Sequence, residues 1–168
     1  MKKRIILIDG MTGAGKTTVA ALVAKKFPRT AIIGMDRIKT FVSDFERGFR
    51  DNSIARKVVL EMTKKYLELG LSVIIEHPFR TEDEIKVYEK LALKYKTSCY
   101  KFQLFTTPDI ALKRITQRQK ELERKVPQKR IKRNISFYRE RSRLGFEVID
   151  TTDIIATKVA NIILNIIK

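Results

Sequence analysis

Residues 5–18 read Ile-Ile-Leu-Ile-Asp-Gly-Met-Thr-Gly-Ala-Gly-Lys-Thr-Thr, and few folds accommodate such a stretch. Ile5 to Ile8 predict a short buried strand. Gly10, Met11, Thr12, Gly13, Ala14, Gly15, Lys16 and Thr17 then fit the spacing G-x-x-x-x-G-K-[ST]. From Val19 to Phe27 the apolar spacing is helical, so the loop opens a helix. Glycines at these positions let successive N–H groups converge on a phosphate, and the helix N-terminus adds its positive dipole end. Lys16 is placed to reach β- and γ-phosphate oxygens, and the Thr17 hydroxyl suits a Mg²⁺ ligand. Thr18, one residue further in, reads mainly as helix packing at the edge of the same loop. The stretch therefore predicts a nucleoside-triphosphate site, with ATP and Mg²⁺ as its cofactors.

The rest of the 168-residue chain alternates strand-like and helix-like segments. Thr30 to Asp36 predicts a second strand ending in an acid, and Leu71 to Glu76 a third. Thr97 to Phe105 predicts a fourth, and Phe146 to Asp150 a fifth. Helices are expected over 54–69 (capped by Asn52-Ser53), over 81–95, from Pro108 onward, and from Thr152-Asp153 to the C-terminus. The Phe41, Phe45 and Phe49 spacing suits a helix or packed flap between the second strand and the next helix. Such alternation predicts an α/β fold with a parallel sheet covered on both faces, as one domain over 1–168.

Composition narrows the partners. The formal net charge is +17, a field that attracts nucleotides and polyanions, so nucleic acid is a possible partner. Between Lys113 and Arg143 there are thirteen Lys/Arg against three Glu. Pro127 divides this basic stretch into two helical pieces, expected to form a lid over 113–143. The single cysteine, Cys99, excludes an internal disulfide and suits a reducing cytoplasm. No segment has the length of a secretory signal core or a membrane span.

Ligands in open α/β sheets bind at the C-terminal ends of strands. The acids Asp9, Asp36 and Glu76 are therefore expected around one crevice, Asp9 chiefly as a hydrogen-bond partner of nearby backbone. Asp36 is a candidate proton acceptor, or alternatively an N-cap for the segment after it. His77, the only histidine, reads as a packed loop residue.

Three further segments carry a family resemblance: Val73-Ile-Ile-Glu-His-Pro-Phe-Arg80-Thr-Glu-Asp83, Gly34-Met-Asp36, and Asp150-Thr-Thr152. With the phosphate loop, they make the chain similar to the small P-loop kinases that include zeta toxins, chloramphenicol phosphotransferase, shikimate and gluconate kinases, and the kinase domain of phage polynucleotide kinase. The resemblance implies a three-layer P-loop fold with strand order 2-3-1-4-5 and a basic helical lid. It implies transfer of the γ-phosphate of ATP to a hydroxyl acceptor, a small molecule in most of the group. Glu76 would then lie near Thr17, holding Mg²⁺ through water or touching the acceptor. Asp36 would face the acceptor hydroxyl, Arg80 would clamp an anionic acceptor, and Thr152 would lie in the nucleotide-base loop. Arg118 and then Arg114 are the arginines expected to stabilise transferring charge, with Arg124, Arg130 and Arg133 as further lid candidates. Where shikimate and polynucleotide kinases carry Asp-x-x-Arg, this chain has Asp36-Arg-Ile-Lys39, which loses bidentate geometry. A nucleic-acid-associated ATPase, or a polynucleotide 5′-hydroxyl kinase, is the alternative. Against the ATPase, the chain has no hydrophobic run ending in Asp-Glu.

Overall fold

The computed structural model describes residues 3–46, 48–121, 128–140 and 144–168. Five strands, β1 (Arg4–Gly10), β2 (Thr30–Gly34), β3 (Ser72–Glu76), β4 (Ser98–Phe105) and β5 (Glu147–Asp150), form one sheet. Its order is β2-β3-β1-β4-β5, and every pairing is parallel. The helices are α1 (Lys16–Lys26), α2 (Met35–Lys39), α3 (Phe49–Glu68), α4 (Glu82–Lys94), α5 (Pro108–Glu121), α6 (Gln128–Glu140) and α7 (Ala156–Ile167).

The central strand shows why so apolar a segment was needed. Ile6 and Ile8 point into a core built with α1, α5, α6 and α7. Ile5 and Leu7 point the opposite way, into a core built with α2, α3 and α4. All four are fully buried. A strand covered on both faces cannot alternate with polar residues, so it reads as a continuous apolar run. Ile74 and its neighbours Val73 and Ile75 divide between the same two layers on β3.

Several boundaries differ from the sequence expectation. β2 stops at Gly34, and Met35 already begins α2. Asp36 therefore lies in the first turn of a short helix, two residues past the strand, where an acid favours the positive end of the helix. α3 starts at Phe49 behind Gly48, which caps without a side chain. Asn52 and Ser53 are thus inside the helix, and Asp51 supplies the acid of its first turn. α7 starts at Ala156, four residues beyond Thr152, and Thr151 and Thr152 are instead engaged by Arg114 and by the β4 end. The α4 start follows its sequence signal: Thr81 Oγ1 accepts a hydrogen bond from the Glu84 N–H at 3.4 Å, and Glu84 Oε2 accepts one from the Arg80 N–H at 2.8 Å. Among the described residues, no helix is long and apolar enough to cross a membrane.

Candidate functional site

The loop between β1 and α1 is held from beneath. Met11 and Ala14 are buried in the core, and the Ala14 N–H donates to the Met11 carbonyl at 3.2 Å. A Cβ on Gly13 would lie 2.7 Å from the Ala111 carbonyl oxygen, so only glycine lets the loop approach α5 this closely. Gly15 takes φ 91° to cap α1 and offers no capping side chain. The first-turn N–H groups of α1 are thus left to an anion, at the positive end of the helix. Thr17 and Thr18 are exposed there, so Thr18 faces outward, contrary to the packing role expected of it.

Lys16 lies across the loop, its Nζ donating to the carbonyls of Gly10 (2.8 Å) and Met11 (3.1 Å). Burial pushes its pKa down. Glu76, Asp9 and Asp36 oppose that shift, and Arg118 reinforces it. An ammonium desolvated among these groups is strongly drawn to added negative charge.

At the end of β3, the Thr17 hydroxyl donates to Glu76 Oε1 at 3.1 Å. Strand order explains the meeting, because β3 is hydrogen-bonded to β1 and Ile8 is in register with Glu76. On its other side Glu76 is in register with Gly34 of β2. A Cβ at Gly34 would sit 2.9 Å from Glu76 Oε1, so the glycine makes the space that the carboxylate occupies. Burial raises the Glu76 pKa, while Lys16 and the Thr17 hydrogen bond lower it. Two hard oxygens side by side suit Mg²⁺, which keeps most of its shell for water and phosphate. Among the described residues no cluster of three or more His, Cys, Asp or Glu could hold a metal ion.

Asp9 lies just beneath the loop and is fully buried. Its carboxylate accepts from the Phe79 N–H (3.1 Å), Gln103 Nε2 (3.1 Å) and Tyr138 Oη (2.6 Å). The expected backbone partner exists, but it belongs to the β3–α4 loop. His77 is packed as expected, its ring centroid 4.0 Å from that of Phe79. Burial lowers its pKa to about 3, so it is neutral at physiological pH.

The remaining candidates divide. Asp36 forms an ion pair with Lys39 at 3.3 Å, its side chain 64% exposed while that of Lys39 is 10% exposed. Arg80 is exposed on the β3–α4 loop. Arg118, exposed on α5, acts electrostatically on both Lys16 and Glu76. Arg114, one turn earlier, points to the β5–α7 loop. It donates to the Thr151 carbonyl at 2.7 Å and to Thr151 Oγ1 at 3.3 Å. Thr152 Oγ1 accepts from the Thr107 N–H at 3.3 Å, which joins the β4 and β5 ends. Arg124 lies outside the described residues, as do 122–127 and 141–143 of the expected lid; Arg130 and Arg133 fall on α6.

Sequence reasoning did not find Thr151, which ties these parts together. Its hydroxyl lies 2.9 Å from the Phe105 carbonyl oxygen and 3.3 Å from that of Ala14 in the loop. It also missed Gln103 and Tyr138. Their only signal was a polar residue at an inward strand position and an aromatic in a basic helix.

With this geometry in view, comparison with known proteins is informative. A family model described as an AAA domain matches residues 5–140. The chain belongs to this family. Solved structures described as kinases share its fold. A protein provisionally named a kinase from Chloroflexus aurantiacus J-10-fl superposes with TM-score 0.74 at 19% identity, covering 98% of both chains. The tunicamycin resistance protein of Deinococcus radiodurans gives TM-score 0.69 at 16% identity, covering 98% of this chain and 95% of that one. The APS kinase of Mycobacterium tuberculosis, solved with AMPPNP and APS, gives 0.70 at 12% identity, covering 98% and 96%. No curated protein matched the sequence significantly. At these identities the structural likeness establishes the fold, which the AAA-domain match covers from β1 into α6.

Proposed function

We propose that the protein is an ATP- and Mg²⁺-dependent phosphotransferase that moves the γ-phosphate of ATP to a hydroxyl group of a small acceptor in the cytoplasm. The observation that carries the reading is the Thr17 Oγ1–Glu76 Oε1 contact of 3.1 Å beside a loop whose lysine rests on its own carbonyls. Kinase neighbours of the same fold support it, among them the APS kinase solved with an ATP analogue.

Each side chain then has a task set by its place. Residues 10–18 hold the triphosphate, with Lys16 exchanging the Gly10 and Met11 carbonyls for β- and γ-phosphate oxygens. Thr17 and Glu76 would hold Mg²⁺, which would supply positive charge to the phosphate oxygens. Asp36 orients the acceptor hydroxyl and takes its proton, held in direction by Lys39. Arg80 contacts an anionic part of the acceptor. Arg118 stabilises charge on the transferring group. Arg114 acts one step back, positioning the loop that carries Thr151 and Thr152, where the nucleotide base would lie. The basic region 113–143 closes as a lid. Phosphorylation of a broad panel of alcohols with labelled ATP tests the reading. Lys16-dependent transfer to any of them sustains it, and ATP turnover indifferent to Lys16 overturns it.

A second reading has one observation in its favour. α6 presents Lys129, Lys132 and Arg133 to solvent, and a similar fold occurs in an RNA repair complex (TM-score 0.64, 15% identity, 82% of this chain and 44% of that one). If the acceptor were a polynucleotide 5′-hydroxyl, or the protein a nucleic-acid-associated ATPase, oligonucleotide affinity would fall with salt by a log–log slope of about −0.7 per phosphate contact.

A further inference from the structure

Beside Asp36 the chain has an apolar recess that the phosphate-handling residues do not use. It lies between α2, the 41–45 turn and α3, and has a volume of about 90 Å³. Ile38, Phe41, Val42, Phe45, Ile54 and Val58 make most of its wall. Phe41 is 72% exposed, Ile54 41% and Val58 40%, so this apolar surface meets water.

Two charged residues also line the recess, Lys39 and Asp51, and both are engaged away from it. Lys39 Nζ reaches Asp36 Oδ1 at 3.3 Å. The Asp51 carboxylate accepts the Glu46 N–H, which ties the turn to α3. Lys39 therefore belongs at once to the recess and to the ion pair that orients the proposed proton acceptor. One helical turn, α2, carries both.

We infer that the acceptor is amphipathic: a hydroxyl-bearing part lies at Asp36 and an apolar group, a short alkyl chain or the edge of a ring, inserts into the recess between α2 and α3. This rests on the phosphotransferase reading for the hydroxyl, and on the recess alone for the apolar group. The recess, at about 90 Å³, is smaller than the roughly 150 Å³ apolar cavity that holds benzene, so it takes a short alkyl chain or the edge of a ring. A docked protein would need on the order of 1,000 Å² of matched surface. A polyol would leave hydroxyls unpaired against these walls, which disfavours it.

Three diols serve as probes: glycerol, 1,2-hexanediol and 3-phenoxy-1,2-propanediol. Binding is followed by ligand-observed NMR with a non-hydrolysable ATP analogue and Mg²⁺ present, and transfer separately with labelled ATP. The hexyl and phenoxy diols should bind at least about tenfold more tightly than glycerol. Val58→Asp, on an exposed wall, should remove that preference while nucleotide affinity stays as in the wild type. Apolar diols that bind through the recess but are not phosphorylated would leave this inference standing and count against the phosphotransferase reading alone. Equal binding of all three diols, or a preference that survives Val58→Asp, overturns the inference. So does a wild-type dimer that Val58→Asp converts to monomer, since a second copy would then occupy the recess.

Discussion

The Tyr138 hydroxyl of α6 donates to Asp9 Oδ1 at 2.6 Å, across 129 residues of chain, one residue before the phosphate loop begins. The same oxygen accepts the Phe79 N–H, so a single buried carboxylate ties α6 to the loop that carries Arg80. Tyr138→Phe keeps the packing and removes one donor from a buried acceptor, a loss of about 1–3 kcal/mol. Thermal unfolding should fall by several degrees, and amide exchange in α6 should accelerate more than in α1. Equal protection of α6 in the two proteins would show that the hydroxyl does not anchor it.

Gly34→Ala offers a test of Glu76 without touching Glu76. The backbone at Gly34 is extended (φ −93°, ψ 117°), so alanine is unstrained there. Its Cβ nevertheless meets Glu76 Oε1 at 2.9 Å, and the flexible carboxylate must move. Gly34→Ala and Glu76→Gln should both raise the Mg²⁺ concentration for half-maximal turnover, by about tenfold or more, with Tm little changed in the alanine variant. Unaltered Mg²⁺ dependence in both would remove Glu76 from the metal site.

Lys16→Ala should leave the fold intact, because the loop is held by buried Met11 and Ala14 and by the Ala14 N–H to Met11 carbonyl bond, none of which needs the lysine. Nucleotide affinity and turnover should drop severely. Calorimetric titration with an ATP analogue checks the first and labelled-phosphate release the second.

Asp36→Asn should separate transfer from nucleotide binding. The side chain lies on α2, outside the phosphate loop, and is largely exposed. Transfer to an acceptor should fall by about 10²–10⁴-fold, as for loss of a general base, while ATP affinity holds. If both fall together, Asp36 is structural.

Acid stability should follow His77. Its folded pKa of about 3 lies below the ordinary value of 6.5, through burial. Below pH 6.5 the unfolded chain binds a proton that the folded chain refuses, so stability is full above that pH and declines as pH falls toward 3. The slope approaches about 1.4 kcal/mol per pH unit in the middle of this window, where the unfolded histidine is protonated and the folded one is not. His77→Gln should flatten urea-unfolding midpoints between about pH 6.5 and 5; an unchanged slope would place the titration elsewhere.

How much of this was legible depended on the distance over which the information is stored. The phosphate loop, β1 and the α4 cap are written in neighbouring residues, since spacing and capping chemistry act within a few positions. The Thr17–Glu76 meeting could be anticipated only because strand order puts β3 beside β1. The end of β2 was misjudged by two residues, because Met35 and Asp36 continue an apolar-then-acid pattern that fits a strand end and a helix start alike. The α7 start lies four residues beyond the sequence signal for a related reason: Thr152 looks like a cap but its hydroxyl accepts the Thr107 N–H in the loop under Arg114. Asp9 was beyond local reading, as its three partners stand 70, 94 and 129 residues away. Nothing near Asp9 in the sequence names them.

The central position of β1 also has a consequence for how the chain is made. Its partners β3 and β4 begin at residues 72 and 98, so both neighbours of β1 are synthesised long after it. Until then Ile5, Ile6, Leu7 and Ile8 have only part of the layers that cover them, and the glycine loop lacks the α5 residue Ala111 beneath Gly13. Parallel pairings over such separations close large loops before they gain contacts, which slows folding and leaves apolar strands exposed meanwhile. Nascent chains halted before β4 should therefore lack nucleotide affinity and depend on holding factors. The segment most diagnostic of the finished protein is thus the one most exposed during its birth.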